Sequence, residues 1–276
     1  MSAYDALWYA VGICVVLLPV VWQCSGVARY YVKTAAYLVA LFLASVFVFF
    51  ASLLSPGDCE NQWYAWSALR TLTSSWLAVQ FELRNPQGLV SDQPFVLVCN
   101  HQSSLDVYGM AVVWPKRCVA TLKSSLRHIP FFGWSVSLCG SLFLDRANTD
   151  TAKRRLAEAV ERAKRDNLKL WIFPEGTRNR DSDSLLPFKK GGFHLAVQGQ
   201  FPIVPVVFSS MRPFYSKRER RFEPGFVIAQ VLPAVPTAGL TTDDVTALAE
   251  QTHASMDKVY GVISVEARNR MLARDY

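Results

Sequence analysis

Residues 94–113 read PFVLVCNHQSSLDVYGMAVV. Phe95–Cys99 is an unbroken apolar run of strand length, the mark of a strand buried on both faces. A polar turn follows, and from Ser103 onward apolar residues return at helical spacing. Ser103 and Asp106 fit a capping box, with the hydroxyl on one orphan helix N–H and the carboxylate reaching back. His101 stands in the turn, five positions before Asp106. On a continuous helix that spacing would turn the two side chains ~140° apart. They meet only if His101 stays in the turn and Asp106 lies inside the helix. The chain has only 4 histidines. One at a strand end beside an acid suits proton-transfer chemistry; the plainer alternative is a histidine that ends a strand and bonds a carbonyl.

The alternation continues outward. Apolar runs at 118–122, 141–144, 169–173, 203–208 and 225–232 read as strands. Helical patterns fill 130–139, 149–166 (opened by Thr149 or Asp150), 191–198 and 242–260, the last behind the cap signal TTDD. A polar loop spans 174–190, and 61–83 reads as one amphipathic helix rich in Trp and Leu. Continuous apolar strands between helices indicate an α/β fold, a largely parallel mixed sheet flanked by helices. Ligands of such sheets gather at the carboxyl ends of the strands. The polar signals fall there: His101, then Asp145 and Arg146, then FPEGTRNR (173–180).

The front of the chain differs. Half of all residues are hydrophobic, 51%, and residues 6–22 and 34–54 carry no charge. The second run is long enough to cross a ~30 Å bilayer core as a helix. The first is marginal and holds Gly12 and Pro19. A cleaved signal peptide fits it poorly, because no basic region precedes it. Residues 1–54 therefore read as a membrane-anchoring helical hairpin, and 55–276 as the α/β domain. The net charge of +7 is uneven: residues 116–221 hold 21 Lys and Arg against 9 Asp and Glu. A basic region behind a membrane anchor suggests anionic head groups or a phosphorylated substrate. Nucleic acid is disfavoured by the anchor and by the lack of any recognisable binding module. The 6 cysteines show no C-x-x-C spacing, so free thiols and a reducing compartment are expected.

Four blocks, NHQSSLD (100–106), GSLFLDR (140–146), FPEGTR (173–178) and FPIVPVV (201–207), occur in order, with LPFKKGGFHLAVQ (186–198) beside them. Together they resemble the glycerolipid acyltransferase family, nearest to its animal members that act on 1-acylglycerol 3-phosphate (lysophosphatidic acid) in the endoplasmic reticulum. The resemblance covers about residues 60–260. It implies acyl transfer from acyl-CoA to a lipid hydroxyl, with no cofactor and no metal. His101 and Asp106 match the family's catalytic pair. Arg146, Glu175, Gly176, Thr177 and Arg178 match its phosphate-binding blocks, and Pro205 its last block. Lys189 and Lys190 are further phosphate candidates. The implied partners are acyl-CoA, lysophosphatidic acid and membrane lipids.

The chemistry agrees with the residues. A histidine is the natural general base for an alcohol, and an acid beside it fixes the tautomer. The acceptor supplies the nucleophile, so Ser103 and Ser104 are read as caps. Arginine offers phosphate a rigid fork. Rival readings are another lysolipid or glycerol 3-phosphate as acceptor, a metal-dependent membrane hydrolase, and an inactive lipid-binding protein. IPFFGWSVSLCG (129–140) suits an acyl tunnel, a core helix or a membrane face equally. Arg29 and Lys33 precede the second apolar run and Arg70 follows it, too few charges to orient it. Acyl-CoA and unpaired thiols favour a cytosolic face of the endoplasmic reticulum membrane.

Overall fold

The computed structural model describes residues 22–144, 149–179 and 182–273, together with Tyr4, Asp5, Trp8 and Pro19. Arg146 and almost all of the first apolar run lie outside the described residues. At the centre is a seven-stranded mixed sheet. Its strands are β1 (Val79–Arg84), β2 (Val96–Cys99), β3 (Cys118–Lys123), β4 (Leu142–Leu144), β5 (Lys169–Ile172), β6 (Ile203–Phe208) and β9 (Gly225–Val231). The order is β1-β9-β6-β2-β5-β3-β4. The β6-β2-β5-β3-β4 block is parallel throughout. β9 runs antiparallel to β6 and parallel to β1. A two-stranded ribbon, β7 (Tyr215–Ser216) with β8 (Arg221–Phe222), lies outside the sheet.

Side-chain alternation along β2 builds both cores. Leu97 and Cys99 join one apolar cluster, with residues of α1 (Gly26–Ser52), α2 (Gln62–Thr73) and α3 (Asp106–Val113). Val96 and Val98 join the other, with α5 (Thr149–Arg165), α6 (Gly191–Gly199) and α7 (Val245–Leu272). Helices thus cover both faces, as unbroken apolar strands require. A further short helix, α4 (Phe132–Leu138), packs beside α1.

Two elements differ from the sequence reading. The helix expected over 61–83 ends at Thr73, and 79–84 is strand β1. The break is at Ala78, which holds φ +54 without a glycine or proline to announce it. The C-terminal helix is longer than expected. Thr241 and Asp244 form the capping box read from TTDD, and the helix then runs on to Leu272.

α1 has 27 residues, about 40 Å at ~1.5 Å per residue. It is long and apolar enough to cross a membrane, with mean hydropathy 2.3 over an 18-residue window. Ser25 caps it, its side chain accepting from Ala28 N. The helix therefore begins earlier than the uncharged run and includes Arg29 and Lys33. Both cations turn toward the domain: Arg29 pairs with Glu223 at 3.0 Å and buried Lys33 lies over the Phe222 ring. Tyr30, Lys33, Tyr37, Ala40, Ala44, Val48 and Ser52 form one buried stripe at spacings of three and four. The opposite side, with Val39, Phe42, Leu43, Phe47 and Phe50, is apolar and exposed.

Candidate active site

His101 sits where the first residues suggested, in the turn between β2 and α3. Its Nδ1 lies 2.6 Å from Asp106 Oδ2. The same oxygen accepts from Gln102 N at 2.6 Å and Ser103 N at 2.9 Å, while Ser103 Oγ accepts from Leu105 N. The carboxylate thus reaches back as expected, but the hydroxyl closes a local turn on Leu105 N instead of capping the helix, whose N-cap is Leu105 without a side-chain bond. Asp106 is fully buried, 0% exposed. An ionised carboxylate only accepts, so Nδ1 carries the ring proton and Nε2 is left as the basic nitrogen. No bond is made at Nε2 among the described residues. The imidazole is 21% exposed and stacks on Phe173, with centroids 4.2 Å apart.

The residues on either side of His101 hold the turn to the sheet. Asn100 donates to Phe208 O and accepts from Phe208 N, extending the β2–β6 pairing with a side-chain amide. Gln102 donates to Ser209 O and accepts from Met211 N. Both amides are buried. Sequence reasoning missed them; the available signal was two amides flanking a histidine at the end of an apolar strand. Cys99, though adjacent, is fully buried, and burial pushes its thiol up, which removes it as a nucleophile. The Ser103 hydroxyl is engaged in the turn, accepting from Leu105 N and contacting Met211 Sδ.

Glu175 serves differently from the expected substrate contact. Oε1 accepts from His101 N at 2.7 Å and Oε2 from Leu186 N at 3.0 Å. The side chain is 2% exposed. Burial raises its pKa, opposed by those two backbone bonds. It clamps three segments together: the His101 turn, the 173–178 turn and the 185–187 loop. Gly176 holds φ +65, the left-handed region that favours glycine, and its N–H closes that turn on Phe173 O.

A groove of about 1170 Å³ has His101 in its wall. Toward α1 and α2 the lining is apolar, with Leu41, Ala44, Val48, Trp66, Leu69 and Met110. Toward the 174–178 turn and α6 it is polar, with Arg178, Lys189 and His194. Arg178 is exposed and has no carboxylate partner among the described residues. The lysine pair divides: Lys189 lines the groove, whereas Lys190 donates to Thr246 Oγ1 on α7. Thr177 is exposed beside the groove, and Pro205 is buried inside β6 and does not line the groove. In the 129–140 segment the three readings are shared out. Phe132, Ser135, Val136 and Cys139 line the groove, Phe131 packs on Phe42 and Phe49, and Trp134 meets Phe49 while remaining 44% exposed. Among the described residues no three His, Cys, Asp or Glu side chains come together as metal ligands, and the described cysteines are all free.

A sheet with a His–Asp pair at its carboxyl rim and a long apolar groove beside it is the architecture of an acyltransferase. The acyltransferase family model matches residues 80–209. The human 1-acyl-sn-glycerol-3-phosphate acyltransferase alpha is 42% identical over 253 residues, 91% of this chain and 88% of that protein. The yeast (Saccharomyces cerevisiae) 1-acyl-sn-glycerol-3-phosphate acyltransferase is 34% identical, covering 82% of this chain and 76% of its own length. The crystal structure of the 1-acyl-sn-glycerophosphate acyltransferase PlsC from Thermotoga maritima superposes with a TM-score of 0.66 at 25% identity, covering 87% of this chain and 97% of that one. The chain belongs to the acyltransferase family that contains these enzymes.

Proposed function

We propose that the protein transfers an acyl group from acyl-CoA to the sn-2 hydroxyl of 1-acylglycerol 3-phosphate, giving phosphatidic acid, with His101 as general base. The observation that carries this reading is the 2.6 Å bond from His101 Nδ1 to buried Asp106, with Nε2 left unbonded on a groove. Nε2 takes the hydroxyl proton as the oxygen adds to the thioester carbonyl. Asp106 stabilises the resulting imidazolium and keeps the ring oriented. Collapse of the tetrahedral intermediate breaks the C–S bond, and Nε2 returns the proton to the departing thiolate. General acid–base assistance of this kind is worth about 10²–10⁴-fold. The acceptor itself supplies the nucleophile, so no covalent enzyme intermediate and no cofactor enter the scheme.

In this acceptor the phosphate-bearing carbon adjoins the reacting carbon. Its phosphate therefore belongs close to His101, where Arg178 and Lys189 line the polar side of the groove. Acyl chains take the apolar side. The exposed apolar side of α1 faces lipid, and residues 1–54 are proposed as the anchor of a domain on the cytosolic face of the endoplasmic reticulum membrane. The free thiols support that placement. Purified protein given acyl-CoA and mixed lysolipids, with products read by mass spectrometry, tests the reaction. Phosphatidic acid is expected to dominate, and folded His101→Ala to make none. Near-normal turnover by that variant would end the assignment of the base, and acylation of other lysolipids alone would end that of the acceptor.

A further inference from the structure

A second depression, of about 540 Å³, opens at the β3–β4 edge of the sheet. The 3₁₀ turn Ser124–His128, the strand residues Ser141–Phe143 and one face of α5 enclose it. Among the described residues, Arg127, Arg155 and Arg162 border it with one acid, Glu158. Arg127 lies over the Phe143 ring at 4.5 Å. Stacking occupies the face of its guanidinium and leaves the N–H edge for an acceptor. Arg162 donates to Gly140 O at 2.8 Å, which fixes its head at the rim. Ser124 and Ser141 line the pocket, and their buried Oγ atoms have no hydrogen-bond partner among the described residues. Ser141 is only 8% exposed. Buried polar atoms are nearly always paired, so two orphans in one basic pocket indicate a ligand rich in acceptor oxygens. Arginines with hydroxyl donors suit a phosphate.

The acceptor's phosphate cannot be that ligand. β3 and β4 stand two and three strands from β2, on the order of 10–14 Å at ~4.8 Å per strand. A phosphate one carbon from the reacting centre does not reach so far. The nucleotide phosphates of coenzyme A are separated from the thioester by the whole pantetheine arm. The two cavities also adjoin: Leu122, Lys123 and Leu126 line the groove, while Ser124, Arg127 and His128 line the pocket. One turn of backbone separates them. We propose that this pocket holds the phosphates of coenzyme A's nucleotide end while the thioester lies at His101. The assignment rests on the acyl-CoA reading above. The other source of a phosphate is a phospholipid head group, since Ile129 and Trp134 nearby are exposed.

The test uses the full chain in detergent micelles and the variants Arg127→Gln and Ser141→Ala. Calorimetric titration with free coenzyme A reads binding without turnover. Each variant is expected to weaken that binding, Arg127→Gln by about tenfold, or ~1.4 kcal/mol. The KM for acyl-CoA should rise in step. The KM for lysophosphatidate, and all kinetics with an S-acyl pantetheine lacking the nucleotide, should stay unchanged. Unaltered coenzyme A affinity in both variants, or a raised acceptor KM, overturns the proposal. So does weaker binding to phosphatidate-containing vesicles with coenzyme A binding intact, which would give the pocket to a lipid head group. If the wild type bound coenzyme A through Arg127 but transferred no acyl group, the pocket would stand and the reaction assignment would fall.

Discussion

At His101 the decisive contacts come from both near and far in the chain. The partner Asp106 is local, and its spacing made the pair legible before any coordinates. Asn100 and Gln102 were not legible, because their roles depend on Phe208 and Met211, more than a hundred residues away. Glu175 drew notice in the sequence, but its bracing of two backbone N–H groups was not legible there. Nothing in PEGT tells that both its oxygens meet backbone N–H groups. Glu175→Gln keeps one acceptor and turns an NH2 toward the other N–H. An unsatisfied buried donor costs ~1–3 kcal/mol, so the melting temperature should fall. Activity should fall through kcat more than through KM, because the His101 turn loses its brace. A kcat at the wild-type level would argue against that role. Arg178→Lys keeps the charge and removes the planar fork. A charged hydrogen bond is worth ~1.5–3 kcal/mol, so kcat/KM for lysophosphatidate should drop roughly ten- to a hundredfold. Monoacylglycerol, without the phosphate, should lose far less, and acyl-CoA saturation should hold. Comparing the three substrates on one variant checks this.

Among the elements, β2, β5 and β6 could be read from their apolar runs because every residue in them is buried, and β3 and β4 from runs that are apolar though partly exposed. β1 escaped because it is an edge strand of half-buried residues, and its Leu and Phe continue the spacing of the helix before it. It pairs with β9 over its whole length, and charge ties it to the last helix. Arg84 bonds Glu82 on its own strand and both oxygens of Glu266 on α7, and Arg270 bonds Glu82 and Glu266 in turn. The Arg84 hydrogen bond is the largest cause that holds the Glu266 carboxyl down at about 2, and Arg270 adds to it. The unfolded chain takes up that proton at the ordinary glutamate pKa, ~4.3. Between these values the unfolded state binds more protons, so this contribution is present above ~4.3 and is lost as pH falls toward 2. Glu266→Gln should accordingly flatten the fall in melting temperature below pH 5. Parallel slopes for variant and wild type would remove the network from the acid response.

Over the whole molecule, the domain boundary drawn at residue 54 follows composition, and the packing does not respect it. Tyr30, Tyr37 and Ala44 of α1 belong to the same apolar cluster as the sheet. Tyr37 also donates to Ser104 O, within the His101 turn, at 3.0 Å. Composition cannot reveal this, because a lipid-facing residue and a core residue look alike in sequence. Deleting residues 1–54 should therefore fail to release a soluble, active domain. The truncated chain should bind a hydrophobic dye strongly and lose cooperative melting. A monodisperse, active 55–276 fragment would show the helix to be a detachable tether.

The double exposure of α1 has a kinetic consequence. Leu41, Ala44 and Val48 wall the groove, while Phe42, Leu43 and Phe47 on the same turns face outward. With α1 in a bilayer, as proposed, one helix thickness would separate the reacting lipid from its neighbours, and acceptor and product would remain in a two-dimensional solvent. The relevant concentration is then the acceptor's mole fraction in the surface rather than its amount per volume. Adding inert phospholipid should slow the reaction at constant bulk acceptor, whereas diluting the whole vesicle suspension should leave turnover per enzyme unchanged at saturating donor.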